Sequence, residues 1–463
     1  MKRLSIVGGL VGGFLLFPAL ICAKQEDDPL WVKRLAVAKV LAKREGFPLS
    51  LSELPKRNVP DADNAATYLS QLHDMKRKMP LSDTECCYLV GVAFNLAKAT
   101  PEQQGQAMRA FANRKDIADL VEKIVACKNY YSPIRLKLSK ITFQSAPVFP
   151  YPAYPVDIMS ELSFVSHYFR TKTLHSLRER RLQEAFESIR KGFRLARVIA
   201  PAYRSNEILN AMFTESDAWR GLETILQFAG EASGVAHAVA NTIKQEGLTT
   251  TFARTLLFEI ATSMDMMELG RRNQEALKGL KSLVMSEKLD FAAYHYPTNP
   301  AQAATRFINA NETNLILKTA LIKRTISAPY YQKLPAAFPP ELDFVKGVYS
   351  KKPDVCIAED CLSVWHIYRR LFAKHTVQRA VLLTGAHVLA WKVKHGAFPA
   401  SLKEVVSSVP LDPFDGKPLR YRKEGAGYVV YSVGETGKYD GRVFEKGRGR
   451  ESVFRYPAPP QKP

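Results

Sequence analysis

From Leu182 onward, apolar or small residues recur at Phe186, Ile189, Phe193 and Ala196, offsets that mark one face of an α-helix. The same periodicity predicts helices over 28–42, 65–79, 82–99, 102–127, 206–229, 234–245, 249–285 and 300–327, and a last long one from Cys361 to Lys394. In the first of these, Leu30, Trp31, Leu35, Val37 and Val40 are apolar, and Gly46 with Pro48 stops the run. Asn58-Val59-Pro60-Asp61 reads as a turn, with Asp63 or Asn64 available to cap the next helix.

Beyond residue 396 the period changes. Gly396-Ala397-Phe398-Pro399 ends the long helix, and Ser401 to Val406 makes a short one. Leu419 to Arg422 and Tyr428 to Tyr431, joined through Glu424 to Gly427, read as a β-hairpin, with Ser452 to Arg455 a candidate third strand. The expected fold is mainly α, an irregular helical-hairpin array with a small C-terminal α+β module. Prolines punctuate 145–156 and 329–360. They divide the chain into an N-terminal helical region (24–144), a helical-hairpin region (157–328), the C-terminal module (361–455) and a loose tail (456–463).

One passage occurs twice. Arg44-Glu45-Gly46-Phe47-Pro48 precedes Ser50-Leu51-Ser52-Glu53-Leu54, and Lys394-His395-Gly396-Ala397-Phe398-Pro399 precedes Ser401-Leu402-Lys403-Glu404-Val405. Each describes a helix closed by glycine, an aromatic that packs back, a proline and a serine-capped short helix. A shared idiom accounts for the echo more simply than duplication.

Of 463 residues, 46% are hydrophobic and 24% charged, which excludes a polytopic membrane protein and a wholly disordered chain. Met1-Lys2-Arg3, an uncharged run from Leu4 to Ile21 and then Cys22-Ala23 have the order of a secretory signal, here assigned to residues 1–23 with cleavage after Ala23. A retained anchor and a lipoprotein at Cys22 are the competing readings. Cleavage would remove Lys2 and Arg3 and lower the formal charge of +21 by two. In an oxidising compartment Cys356 with Cys361, and Cys127 with Cys86 or Cys87, are candidate pairs.

Motif chemistry is sparse. The chain has no His-Glu-x-x-His, no phosphate loop and no Gly-x-Ser-x-Gly elbow. His366, His375, His387 and His395 lack ligand spacing, and no metal, cofactor or catalytic residue is assigned. Glu259, Asp265 and Glu268 lie on one helix; an acid–base pair there would make an envelope hydrolase or metal-assisted enzyme, against the simpler reading of a salt-bridged face. The excess of cations is more informative. Arg178, Arg181, Arg190 and Arg194 flank the apolar stripe from Leu182, and Arg420 and Arg422 share one strand face. These six are the candidate anion-binding residues, for a surface polysaccharide or lipid headgroups, against the reading of a merely solvated basic surface. Export argues against a nucleic-acid partner.

Asp412-Pro413-Phe414-Asp415-Gly416-Lys417-Pro418-Leu419-Arg420-Tyr421-Arg422, followed by Gly427-Tyr428-Val429-Val430-Tyr431-Ser432-Val433-Gly434, resembles the C-terminal domain of the major pseudopilins of type II secretion. The long helix and the turn at Gly396 to Pro399 match in order, over about 80 residues. The resemblance implies a hairpin packed on the long helix and association with a secretion or surface assembly. It does not extend to the pseudopilin N-terminus: Gly13-Phe14 is followed by Pro18 where a Glu belongs. The family's calcium site uses an Asp two residues after the Tyr-Ser-x-Gly segment; here that position is Thr436, with Ser432, Glu435 and Asp440 as nearby oxygen donors. The whole chain also resembles exported proteins of planctomycete and verrucomicrobial bacteria, through Val59-Pro60-Asp61-Ala62-Asp63-Asn64-Ala65-Ala66 and the Asp412 run, which implies export and a helical body. Residues 162–197 half-resemble a tetratricopeptide helix pair, with Ala185, Ile189 and Gly192 at the small, apolar and small positions. The expectation is an exported, non-catalytic envelope or periplasmic interaction protein with a protein partner or an anionic surface polymer, and a peripheral membrane contact as a further option.

Overall fold

The computed structural model describes residues 28–54, 58–78, 100–112, 114–131, 156–202, 205–246, 253–272, 300–325, 330–332, 365–437 and 453–457. The expected signal sequence, the helix expected over 82–99, most of both proline-rich connectors, Cys86, Cys87, Cys356, Cys361 and the tail beyond Pro457 lie outside these residues. The protein is mainly helical, with a small C-terminal three-stranded antiparallel sheet.

Four helices come first: α1 (Asp28–Glu45), α2 (Ala65–Lys78), α3 (Pro101–Ala112) and α4 (Lys115–Ala126). Asn64 caps α2, its Oδ1 accepting from the Ala66 N–H at 3.1 Å. The same side chain holds Tyr131 from both sides, accepting its N–H at 2.9 Å and donating to its carbonyl at 2.8 Å. Asp63 beside it accepts from the Lys128 N–H at 3.1 Å and the Asn129 amide at 2.9 Å. The Asp-Asn-Ala-Ala passage is therefore a clasp between the start of α2 and the segment leaving α4. The single helix expected over 102–127 is two. Arg114 adopts φ −107°, ψ 64° before α4 begins, and its guanidinium turns forward onto Asp116 at 3.0 Å.

Then follow α5 (Val156–Arg178), α6 (Leu182–Ile199), α7 (Ser205–Ala229), α8 (Val235–Glu246), α9 (Ala253–Arg272), α10 (Pro300–Thr325) and the long α11 (Trp365–His395). Of the stripe predicted on α6, Phe186, Ile189, Phe193 and Ala196 are buried, and Leu182 at its start is half-buried against the same core. Small residues set the closeness of α6 and α7. The Cα of Gly192 faces Ala218, and a methyl group on Gly221 would lie 2.9 Å from the Ile189 side chain.

α7 joins three cores. Ala218, Trp219, Leu222, Ile225 and Leu226 pack with α6, α8 and α11; Ile208 and Met212 pack with α1, α9 and α10; Ala211 faces the core of α2, α4 and α5. α11 shares two of these, with Tyr368 in the second and Val377 to Ala390 in the first. The sheet rests on α11 in the order β1 (Arg420–Glu424), β2 (Gly427–Tyr431), β3 (Val453–Tyr456), with β2 central and antiparallel to both neighbours. It belongs to the same core as α6, α7 and α8, through Tyr428, Val430 and Phe454.

The repeated passage takes the same form twice. Gly46 and Gly396 end α1 and α11 at φ +69° and +78°, where a side chain would be strained. A short 3₁₀ turn follows each, at Leu51–Glu53 and Leu402–Glu404. In both turns the glutamate reaches back to bare amides: Glu53 accepts from Leu49 at 3.1 Å, and Glu404 from Ala400 and Ser401 at 3.1 Å.

Candidate functional site

The two sequence runs that carry the pseudopilin resemblance meet at one carboxylate. Asp412 is fully buried. Its Oδ1 accepts from the Phe414 N–H and the Ser432 hydroxyl at 3.0 Å, and its Oδ2 from the Val433 N–H at 2.8 Å and Arg420 Nη1 at 3.0 Å. A buried charge is tolerated only with such a set of donors. The Asp-Pro-Phe-Asp-Gly run and the Tyr-Ser-Val-Gly run are thereby one device, which closes the loop before β1 onto the end of β2.

The oxygen donors suggested by the calcium comparison are engaged elsewhere. Ser432 gives its proton to Asp412 and accepts from the Gly434 N–H at 2.9 Å. Glu435 faces Arg370 at 3.4 Å and Lys374 at 3.8 Å on α11. Arg420 bridges Asp412 and Asp415, so a guanidinium holds the loop together. Asp440 lies outside the described residues. Among the described residues no group of three or more His, Cys, Asp or Glu side chains is placed to hold a metal ion.

Strand alternation gives the sheet two unlike faces. Tyr421, Tyr428, Val430, Phe454 and Tyr456 point to the core. Tyr428 donates to the Gly385 carbonyl at 2.6 Å, and burial pushes its phenol well above the usual range. At that glycine a methyl group would fall 2.3 Å from Phe454, so β3 sits directly on the backbone of α11. On the outer face Arg422, Val429 and Arg455 are in register. Both arginines converge on Glu424, with Arg455 Nε at 2.6 Å, and this hydrogen bond, joined by that of Arg422, lowers the Glu424 pKa. β3 is also fixed to the helical body: Gln227 on α7 donates to the Arg455 carbonyl at 2.7 Å, and Tyr456 donates to Glu231, which pairs with Lys392.

The six candidate anion-binding arginines occupy two separate places. Arg420 and Arg422 lie on β1 with the partners just described. The other four lie on the α5–α6 hairpin. Arg178 is half-buried at the end of α5, and burial lowers its pKa. Arg181 pairs with Glu184 at 3.0 Å, Arg190 faces Glu187 at 3.9 Å, and Arg194 donates to the Ala126 carbonyl at 3.3 Å. Their neighbours behave alike: Lys191 reaches Glu122 on α4 at 2.7 Å, and Arg197 pairs with Glu246 on α8. The basic row along α6 thus works largely as a set of clamps to α4 and α8. The periodicity that found the row has no means of showing the carboxylates opposite it.

The described interior holds polar groups that the sequence did not mark. On α10, Asn309, Asn311, Glu312, Thr313, Asn314 and Thr319 are all buried. Asn311, Thr313, Asn314 and Thr319 each donate to the carbonyl four residues earlier at 2.7–2.8 Å. Arg271 from α9 reaches Asn309 and Glu312 at 3.0 Å, and Lys39 from α1 faces Glu312 at 3.8 Å. Burial raises the Glu312 pKa against the pull of both cations. Glu268, one of the suggested acid–base residues, is held on the surface by Arg271 at 3.1 Å and Arg272 at 2.8 Å; Glu259 is buried on the same helix, and Asp265 accepts from the Leu51 N–H at 3.0 Å. Glu215 on α7 and His375 on α11 lie 2.8 Å apart, both buried, with Trp219 against the imidazole at 4.3 Å.

Cys127 is a free, buried thiol that donates to the Lys123 carbonyl at 3.2 Å; Cys86 and Cys87, its expected partners, lie outside the described residues. Between α5, α6 and α7, beside Asp217 and Arg170, lies a cavity of about 10 Å³, room for one water. No family model, characterised protein or solved structure matches this chain. Among the described residues no helix is long and apolar enough to cross a membrane.

Proposed function

We propose that the protein is exported and acts without catalysis, by binding a partner in the periplasm or cell envelope in association with a secretion or surface assembly. The observation that supports this reading is the construction of the C-terminal sheet. Its inner face is locked to α11 through Tyr428 and Phe454, and the Asp412 device holds its loops. On its outer face Arg420, Arg422 and Arg455 form a rigid, charge-paired surface with Asp412, Asp415 and Glu424. Rigid elements fixed from behind suit recognition, because little side-chain freedom is lost on binding. A partner whose polar groups complement these paired charges fits such a surface.

The test is recovery of partners with the exported chain at low and at high salt. A specific envelope component retained at low salt, released by salt and reduced when Arg422→Ala is used supports the reading. A chain that stays in the cytoplasm, or is recovered alone at low salt, contradicts it.

A further inference from the structure

The two edges of the sheet differ. On β3 the Arg455 carbonyl turns outward and is taken by Gln227 of α7 at 2.7 Å. On β1 the outward groups follow from the hairpin. Its loop is the two residues Gly425 and Ala426, so Glu424 bonds to Gly427, and Arg422 and Arg420 likewise turn their backbone groups to β2. The alternate residues Leu419, Tyr421 and Lys423 turn theirs away from the sheet. The Leu419 N–H is taken by the Pro410 carbonyl at 2.9 Å, while Val409 beside Pro410 packs into the core and so leaves the edge. The backbone N–H and C=O groups of Tyr421 and Lys423 have no hydrogen-bond partner among the described residues. Lys423 is exposed and, unlike Arg420 and Arg422, has no ion pair among them.

We propose that this open edge of β1 takes an extended, acidic segment of a partner protein as a fourth strand. The inference rests on the reading that the sheet meets a partner, and it names the chemistry of the part that is met. Two residues about 7 Å apart, each offering one donor and one acceptor along the same edge, are the pattern that another extended backbone reproduces. Lys423 then selects among strands. A lysine on an edge opposes pairing with apolar or cationic strands, while a carboxylate beside it on the incoming strand gains an ion pair. A second copy fits less well. Two β1 strands paired antiparallel through Tyr421 and Lys423 place Arg422 opposite its own copy, about 4.5 Å apart between Cα atoms, and a shift of register places Lys423 opposite its own.

The test uses the full chain in the exporting cell, with a photoreactive residue at position 422 and the adduct mapped by mass spectrometry. Lys423→Pro removes an outward N–H and leaves the β1–β2 ladder whole, and the adduct falls to background with helix content unchanged. Lys423→Glu keeps the N–H and reverses the charge, and the yield falls several-fold. The mapped segment carries an Asp or Glu within two residues of the cross-link. An unchanged yield in Lys423→Glu or in folded Lys423→Pro overturns the proposal, as does a mapped segment without an acid; either result leaves the reading of a sheet that meets a partner standing. An adduct with a second copy of this chain also overturns the proposal. No adduct from position 422 with Lys423 in place overturns both.

Discussion

The hydroxyl of Ser432 donates to the carboxylate of Asp412 at 3.0 Å, twenty positions back along the chain and fully out of solvent. This contact explains why the two runs that suggest a pseudopilin-type module occur together: one supplies the charge and the other supplies donors. Asp412→Asn removes the charge that Arg420 and the Val433 amide face, and should cost about 2–3 kcal/mol. Ser432→Ala removes one donor of four and should cost about 1 kcal/mol. Denaturant unfolding of both variants checks the ranking, and equal losses would show that the charge is not what matters.

Gly385 is where the sheet touches the long helix. Gly385→Ala places a methyl group 2.3 Å from Phe454, and should destabilise by about 1–3 kcal/mol through overpacking. Phe454→Ala relieves the clash but opens a cavity. The double variant should therefore lose less than the two single losses added together, by a margin that a double-mutant cycle resolves.

The two copies of the glycine–aromatic–proline passage should respond alike. Glu53→Ala and Glu404→Ala each free one or two amides at the start of a short 3₁₀ turn, and each should cost about 0.5–1.5 kcal/mol. A large loss at one and none at the other would show that only one copy is structurally used.

His387 on α11 is held below the ordinary histidine value, first by burial and then by Lys244 and His237. The unfolded chain then takes up a proton before the folded one as pH falls. The contribution of this group is present above about pH 6.5 and is lost below it. Melting temperature should fall between pH 7.5 and 5.5 less steeply in His387→Gln than in the parent, and equal slopes would remove His387 as a cause.

Periodicity was enough to read most of the helices, the hairpin and the third strand, because one buried face imposes its period on the residues that cover it. The Leu182 stripe and the Tyr428–Tyr431 strand are the clearest cases. It failed on α10. Asn309 to Asn314 reads as a polar surface, yet these side chains are buried: Asn311, Thr313 and Asn314 bond back to their own helix while Asn309 and Glu312 take Arg271 from α9, and neither kind of contact leaves a mark in the hydrophobic pattern. It also separated the cations of α6 from the carboxylates of α4 and α8, since those pairs join residues some 50 to 70 positions apart. The Asp412 contacts were visible only as two motifs in order, not as one buried node.

The central claim is that the outer face of the sheet meets a partner in the envelope. A photoreactive residue at position 422, introduced in the exporting cell, tests it most directly. The account predicts one discrete adduct with an envelope component, absent when the same residue is placed at exposed position 123 on α4. A folded, exported chain that forms no adduct from 422, or the same adducts from both positions, would contradict it.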